Sequence, residues 1–216
     1  MSEVFVRELL GAHAGLLESL GDAGVSSGEE TPRASLPQLL RVALVNEISA
    51  SELAAAWMPS TTEIDVKTAL GRQAGDEARH FQLVEKRLQA LGVSTADFVA
   101  PAPSALFQYL RSLETTAERI AAGMVALESI AYRVNESFVR LCETLGDSET
   151  ARLYREVIQP EEQHHHRTGC ALLSRHASTP EAETRARAAS LRALEIAASL
   201  RAAAAHELGT QSFPGC

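Results

Sequence analysis

The sequence predicts an all-α protein, and three observations lead to that prediction. The 216 residues include 36 alanines and 27 leucines against ten aromatic residues. Alanine and leucine are strong helix formers, whereas β-strands favour aromatic and β-branched side chains. Several long stretches between glycine- or proline-containing breaks repeat their apolar residues with a helical period. With 45% hydrophobic and 22% charged residues the chain has a globular composition, and we expect a single domain over residues 1–216.

Each end of the chain is predicted to carry a helix that flanks the main bundle. Residues 3–20 form an amphipathic pattern whose apolar side includes Leu9, Leu10 and Leu16. The following segment, GDAGVSSGEETPRAS, is rich in glycine, serine and acidic residues and predicts a loop. Near the other end, Ser178-Thr179-Pro180 predicts the start of a helix that continues to about residue 207.

Four longer helices are predicted between these ends, over about 36–58, 61–91, 115–145 and 148–176. Short turns join the first two and the last two, so each pair is expected to be an antiparallel hairpin. A longer connection with a short helix near 104–113 joins the two hairpins. Pro160 predicts a bend near 156–160. This order predicts a four-helix bundle over about 36–176 with one flanking helix at each end.

Charge and cysteine content argue against several kinds of partner and location. The formal net charge is −8, whereas a general nucleic-acid binder carries a basic surface. Cys142, Cys170 and Cys216 are far apart and form no CxxC pair, which argues against a thiolate metal site. The sequence has no run of about 18 apolar residues to cross a bilayer, and its first ten residues lack the pattern of a signal peptide. We therefore expect a soluble, cytoplasmic protein with no membrane or nucleic-acid partner.

Two copies of an ExxH motif stand out within the predicted bundle. Glu77 and His80 lie three residues apart in DEARH, and Glu162 and His165 have the same spacing in EEQHHH. Residues three apart on a helix project from one face. One motif falls in the second helix of each predicted hairpin, so the two halves of the bundle repeat a pattern.

A further glutamate precedes each motif on the other helix of its hairpin. Glu47 lies 30 residues before Glu77, and Glu128 lies 34 residues before Glu162. Counted from the turn at 146–148, the second pair is expected within about one helical turn of each other. Four carboxylates gathered without cations would repel one another, whereas two divalent ions offset their charge. Four carboxylates and two imidazoles can hold two divalent metals, and oxygen and nitrogen ligands suit iron or manganese.

This arrangement resembles the ferritin-like di-iron carboxylate superfamily, whose signature is one glutamate on each of two helices and ExxH on each of the other two. The resemblance covers about residues 47–165. It implies a ferritin-like bundle and two iron ions, or iron and manganese, with dioxygen as cosubstrate. Asp76 matches a position that often hydrogen-bonds a ligand histidine. The metal ligands implied by the resemblance are Glu47, Glu77, His80, Glu128, Glu162 and His165.

The sequence leaves several assignments open within that set. Either Glu128 or Glu162 would bridge two metals together with Glu77. The run of histidines also permits Glu161 and His164 as the second ExxH pair, although the face of Glu162 continues as Ile158, Gly169 and Leu172. The competing carboxylates for the two partner positions are Glu52, Glu63 and Glu136. The remaining expectations are a polar core position for Asn135 and polar faces for His13, His176 and His206.

The function implied by the resemblance is a non-haem di-iron oxidoreductase. Such an enzyme would use dioxygen to oxidise or hydroxylate an organic small molecule, and it would draw electrons from an external donor because rubredoxin-type cysteines are absent. A homodimer is compatible with this function. The alternatives are a ferroxidase or iron-handling protein, and a tRNA-modifying hydroxylase of the same fold, against which the acidic charge argues.

Overall fold

The computed structural model describes residues 2–21 and 32–215. Within these ranges the chain forms seven helices and no β-strand, so the all-α prediction is confirmed. The predicted loop over 21–35 falls largely on residues 22–31, which lie outside the described residues, as does Cys216.

The helices follow the order predicted from the sequence, and the four long ones agree with their predicted bounds to within three residues. Local signals set their starts. The Gln38 side chain accepts a hydrogen bond from the Ser35 N–H at 2.7 Å, and Asp147 accepts one from the Thr150 N–H at 3.0 Å. The bounds are α1 (Ser2–Gly21), α2 (Leu36–Ser60), α3 (Ile64–Ala90), α4 (Ala105–Arg111), α5 (116–144), α6 (148–176) and α7 (Pro180–Leu208).

Helices α5 and α6 each contain a π-helical segment beside the residues that the sequence singles out. The segment in α5 is Ile120–Leu127, directly before Glu128, and the segment in α6 is Tyr154–Ile158. Proline has no N–H to donate, and just before Pro160 the Gln159 N–H donates to the carbonyl of Tyr154, five residues back. Where the sequence predicts a bend, near 156–160, the structure has a wider helical turn, a feature frequent at functional sites.

The helices pack as two connected pairs with the terminal helices against the second pair. Helices α2 and α3, joined by 61–63, lie along each other, and α5 and α6, joined by 145–147, do the same. Helix α7 packs on the π segment of α5, and α1 packs on α5, α6 and α7. None of the helices in the described ranges is long and apolar enough to span a membrane.

Two apolar clusters form the core, and a polar layer lies between them. The first cluster includes Leu53, Leu70 and Leu172, and the second includes Leu44, Val84 and Ile158. On each of α2, α3 and α6 the chain passes from one cluster to the other. The acidic residues at these crossings are Glu47, Glu77 and Glu162. The packing of apolar residues on both sides thus holds three carboxylates in the interior.

Gly169 lets α6 approach the π segment of α5, and it provides a test of that packing. A Cβ at this position would lie 2.6 Å from the carbonyl oxygen of Met124, which is a backbone atom that cannot rotate away. We expect Gly169→Ala to lower the free energy of unfolding by about 2 kcal/mol, as overpacking does, although alanine has the higher helix propensity.

The matched control is Gly75→Ala, because Gly75 is an exposed helical glycine of α3 with no atom within 4 Å of its added Cβ. This variant should raise the free energy of unfolding by about 0.5–1 kcal/mol. Urea denaturation of both variants measures the two effects. Equal stabilisation by both substitutions would contradict the close contact at Gly169.

Candidate metal centre

The six residues selected from the sequence meet at one place in the polar layer. They come from four helices: one residue from α2, two from α3, one from α5 and two from α6. None is more than 5% exposed, which is rare for acidic side chains without a compensating partner. The residues are Glu47, Glu77, His80, Glu128, Glu162 and His165.

The six side chains form two groups of four that share two carboxylates. One group consists of Glu47, Glu77, His80 and Glu162. The other consists of Glu77, Glu128, Glu162 and His165. Within each group, one potential ligand atom per residue lies within 4.8 Å of the others. Oxygen and nitrogen ligands lie about 2.1 Å from a small divalent ion, so opposite ligands are about 4.2 Å apart. Each group is therefore the size of one ion's coordination shell, and Glu77 and Glu162 are common to both shells.

The imidazole of His80 points one nitrogen into this cluster and the other away from it. Its Nδ1 atom lies 3.4 Å from Glu47 Oε2 and 3.3 Å from Glu77 Oε2. Its Nε2 atom lies 2.8 Å from the carboxylate of Glu161, which also accepts a hydrogen bond from Arg79. A carboxylate on the outer nitrogen fixes the ring and leaves Nδ1 available as a ligand atom.

His165 repeats this arrangement from the opposite side of the cluster. Its Nδ1 atom lies 3.3 Å from Glu77 Oε1 and 3.6 Å from Glu128 Oε2. Its Nε2 atom lies 3.1 Å from Asp76 Oδ2. The acid before each ExxH motif thus contacts the histidine of the other motif, so α3 and α6 hold each other's imidazoles.

This geometry places the alternative second pair outside the cluster. His164 is exposed, and Glu161 contacts the outer nitrogen of His80. Glu162 and His165 each follow a member of the alternative pair by one residue. Both point into the cluster and are buried. The face predicted from Ile158, Gly169 and Leu172 is also buried.

The competing carboxylates on α2, at the start of α3 and on α5 do not reach the cluster. Glu52 lies on the surface and pairs with Arg111 at 2.8 Å. Glu63 accepts a hydrogen bond from Thr116 at 2.7 Å, and the carboxylate of Glu136 lies 3.6 Å from Arg133.

Burial and neighbouring charges give the buried carboxylates very different proton affinities. Burial raises the pKa of Glu47 to about 7, although His80 opposes the shift. Burial, together with the carboxylate of Glu77, raises the pKa of Glu162 well above its usual value. Burial acts in the same direction on Glu77, but the imidazoles of His165 and His80 outweigh it and hold its pKa at about 2. Without a metal, the shared Glu77 therefore holds its negative charge more strongly than Glu47 or Glu162 does.

Both histidines retain protons in the metal-free cluster. Burial alone would lower the pKa of His80, but Glu47 and Glu77 raise it to about 11. Burial likewise lowers the pKa of His165, but the carboxylates of Glu128 and Glu77 outweigh it and raise that pKa to about 11. Without a metal, the protonated imidazoles thus supply the positive charge that compensates the carboxylates.

The hydrogen-bonding pattern fits a metal better than it fits protons. Nδ1 of His80, Nδ1 of His165 and Oε2 of Glu128 are buried polar atoms without a hydrogen-bond partner. A buried polar group left unpaired costs about 1–3 kcal/mol. All three atoms belong to residues of the two ion-sized groups, so a cation in each group would satisfy them together with the carboxylates.

Two buried polar residues were missed or misplaced by the sequence interpretation. Gln73 is buried and donates a hydrogen bond to Glu128; it lies one turn before Glu77 on the same face of α3, and that spacing was the available signal. His13 was expected on a polar face, but it is fully buried with Nε2 3.0 Å from Ser190 Oγ because α1 packs on α7. The core position expected for Asn135 is confirmed.

Comparison with known proteins gives one match. The model of a family described as a protein of unknown function, DUF455, matches residues 39–198, which include all six residues of the cluster. No curated protein and no solved structure matches the chain. Because the family model covers more than half of the sequence, the chain belongs to the DUF455 family.

Proposed function

We propose that the buried cluster holds two divalent metal ions and that the protein is a di-iron oxidoreductase of the ferritin-like type. The observation that carries the proposal is the pair of ion-sized groups with Glu77 and Glu162 in common. Two shared carboxylates would keep two ions close together, as in dinuclear centres where the metals are about 3.5–4 Å apart. Of the two candidate partners for Glu77 as a bridge, the geometry therefore favours Glu162 over Glu128.

The charge of the cluster supports two ions rather than one. Once all four buried carboxylates are ionised as metal ligands, they carry four negative charges, and two divalent ions with neutral imidazoles would compensate all of them. A single divalent ion would leave two of these charges without a metal partner in an apolar surrounding. The oxygen and nitrogen ligands suit iron or manganese, so the expected content is two iron ions or one of each.

The helix arrangement supports the ferritin-like assignment. Each of the pairs α2–α3 and α5–α6 supplies one single glutamate and one ExxH motif, as that superfamily signature requires. Apolar clusters pack on either side of the centre, and contacts from Asp76 and Glu161 would hold the imidazoles in a ligating orientation.

The reaction that we propose is the oxidation or hydroxylation of an organic small molecule with dioxygen. Two reduced iron ions held by these residues would supply two electrons to dioxygen, and an external donor would restore those electrons. The protein's residues would contribute the ligand geometry and the apolar surrounding.

A ferroxidase remains the second candidate because of one specific observation. The cavity beside the cluster, lined by Asn46, Ala50, Leu127 and Ala131 among others, has room for about one water molecule. That space suits an ion or a diatomic gas and is too small for an organic substrate while the cavity is closed.

Dioxygen consumption by the Fe²⁺-loaded protein tests the proposed function. We expect rapid uptake of dioxygen, abolished in Glu77→Ala and retained in Glu52→Ala, whose side chain pairs with Arg111 on the surface. Accumulation of ferric iron over many turnovers would identify a ferroxidase. Oxidation of only the two bound ferrous ions would fit the oxidoreductase. Dioxygen uptake no faster than that of free Fe²⁺ would contradict both.

The protonation of the metal-free cluster predicts a pH dependence of metal binding. His80 and His165 have pKa values raised to about 11, so at neutral pH each must lose a proton before it ligates a metal. Glu47, with its pKa raised to about 7, adds a further proton below that pH. Affinity should therefore fall as pH decreases, and more steeply below about pH 7 than above it.

Calorimetry in buffers of different ionisation enthalpy measures this proton release. We expect at least two protons released per fully loaded protein at pH 8, from the two histidines, and additional release at pH 6. An affinity that does not change between these pH values would contradict the protonation assigned to the imidazoles.

A further inference from the structure

The chain after α7 returns to the centre and lines the cavity beside it. Residues 209–215 form no helix or strand, and we call this segment the strap. Phe213 of the strap is 3% exposed and belongs to the second apolar cluster. Gly215 reaches further and lines the same small cavity as Glu47, Glu77, Glu128 and Glu162.

Two buried polar side chains hold the strap through its backbone. Arg201 of α7 donates to the carbonyl of Gly215 at 2.8 Å and to that of Phe213 at 2.9 Å, and its guanidinium lies 3.9 Å from the centre of the Phe213 ring. Asn135 of α5 accepts a hydrogen bond from the Gly215 N–H at 3.1 Å. Both side chains are more than nine-tenths buried, so they form a binding site for the backbone of the strap.

The backbone at Gly215 leaves little room for a side chain. Its φ angle is +82°, which side chains rarely adopt. An added Cβ would lie 2.9 Å from the Cβ of Asn46. Gly215 therefore packs against α2 at Asn46, the residue that precedes Glu47.

We propose that the strap is a movable cover of the centre, which must leave this position before a ligand larger than a water molecule reaches the cluster. The closed cavity holds about one water, whereas an organic substrate needs more space. The strap has no regular secondary structure, and segments of this kind open locally at lower free energy than core helices. The proposal deepens the proposed function by giving the organic substrate a route, and it rests on that function for its biological meaning.

A reporter cysteine tests the movement in the full chain without any metal. Ala131 lines the cavity that Gly215 also lines and is 5% exposed, so Ala131→Cys places a thiol in that cavity. The rate of its reaction with methyl methanethiosulfonate is followed by mass spectrometry of the peptide that contains position 131. Adding Phe213→Ala removes the strap's apolar anchor and should raise this rate at least about tenfold.

The matched control adds Gln211→Ala to the same reporter, because the Gln211 side chain is exposed and only its backbone carbonyl contacts Arg201. This control should leave the rate unchanged. If Phe213→Ala fails to fold, Gly215→Val displaces the strap without altering any helix and should have the same effect. In the unsubstituted chain, hydrogen exchange should show the Gly215 amide opening faster than the helical amides around it.

The outcomes separate this inference from the proposed function. Equal labelling rates in the strap variants and the control, or exchange at Gly215 as slow as in the helices, would overturn the strap as a movable cover. Faster labelling in a protein that takes up no iron or manganese would support the strap and refute the metal centre.

Discussion

Glu77→Ala is expected to abolish the binding of both metal ions. Glu77 lies in both ion-sized groups, with Oε2 3.3 Å from His80 Nδ1 and Oε1 3.3 Å from His165 Nδ1. Removing it takes one ligand from each ion and removes, from each imidazole, the nearest of the carboxylates that face its Nδ1 atom. Elemental analysis of the protein after loading and desalting should fall from about two ions per chain to none.

Substitution of an unshared ligand gives the matched comparison. Glu47 belongs to one group only, so Glu47→Ala should retain about one ion per chain, while the exposed Glu52→Ala should retain two. Equal losses in Glu77→Ala and Glu47→Ala would contradict the assignment of Glu77 as a shared ligand. Full retention in Glu77→Ala would refute the centre itself.

Removal of the metal is expected to lower the thermal stability of the protein by a large amount. Each ion at 100 times its dissociation constant adds about 2.7 kcal/mol, so two ions contribute about 5 kcal/mol. For a chain of this length, about 1 kcal/mol corresponds to a shift of roughly 2–4 °C in the melting temperature. We therefore expect Tm to fall by about 10–20 °C when a chelator strips the loaded protein.

The stabilisation is reduced but not cancelled by the protons that replace the metal. In the metal-free state, His80 and His165 carry the compensating charge, with pKa values raised to about 11. The chain should thus remain folded without metal near neutral pH, at a lower Tm. The chelator should not change the Tm of Glu77→Ala, and an equal shift in that variant would show that the effect arises elsewhere in the protein.

The sequence was sufficient to locate the helices and the cluster because both depend on short-range spacing. Three-residue spacing places Glu77 beside His80 on one face of a helix, and turn signals such as Asp147 fix where a helix starts. The six predicted residues do converge in the structure. Their spacing alone did not decide between Glu128 and Glu162 as the residue shared with Glu77, because that choice depends on how α5 and α6 are rotated in the bundle.

Features that depend on long-range packing were not accessible from the sequence. The burial of His13 follows from the contact of α1 with α7, whose residues lie far apart in the chain. The strap contact between Gly215 and Asn135 joins residues 80 positions apart. Glu161 contacts the outer nitrogen of His80, and Asp76 contacts that of His165. Predicting these two contacts requires the relative position of α3 and α6.

Anomalous scattering from crystals, measured at the iron and manganese absorption edges, tests the central claim most directly. Two peaks about 3.5–4 Å apart are expected, with Glu77 and Glu162 between them, His80 and Glu47 on one ion, and His165 and Glu128 on the other. Crystals grown with both metals that show no peak within this cluster would contradict the account.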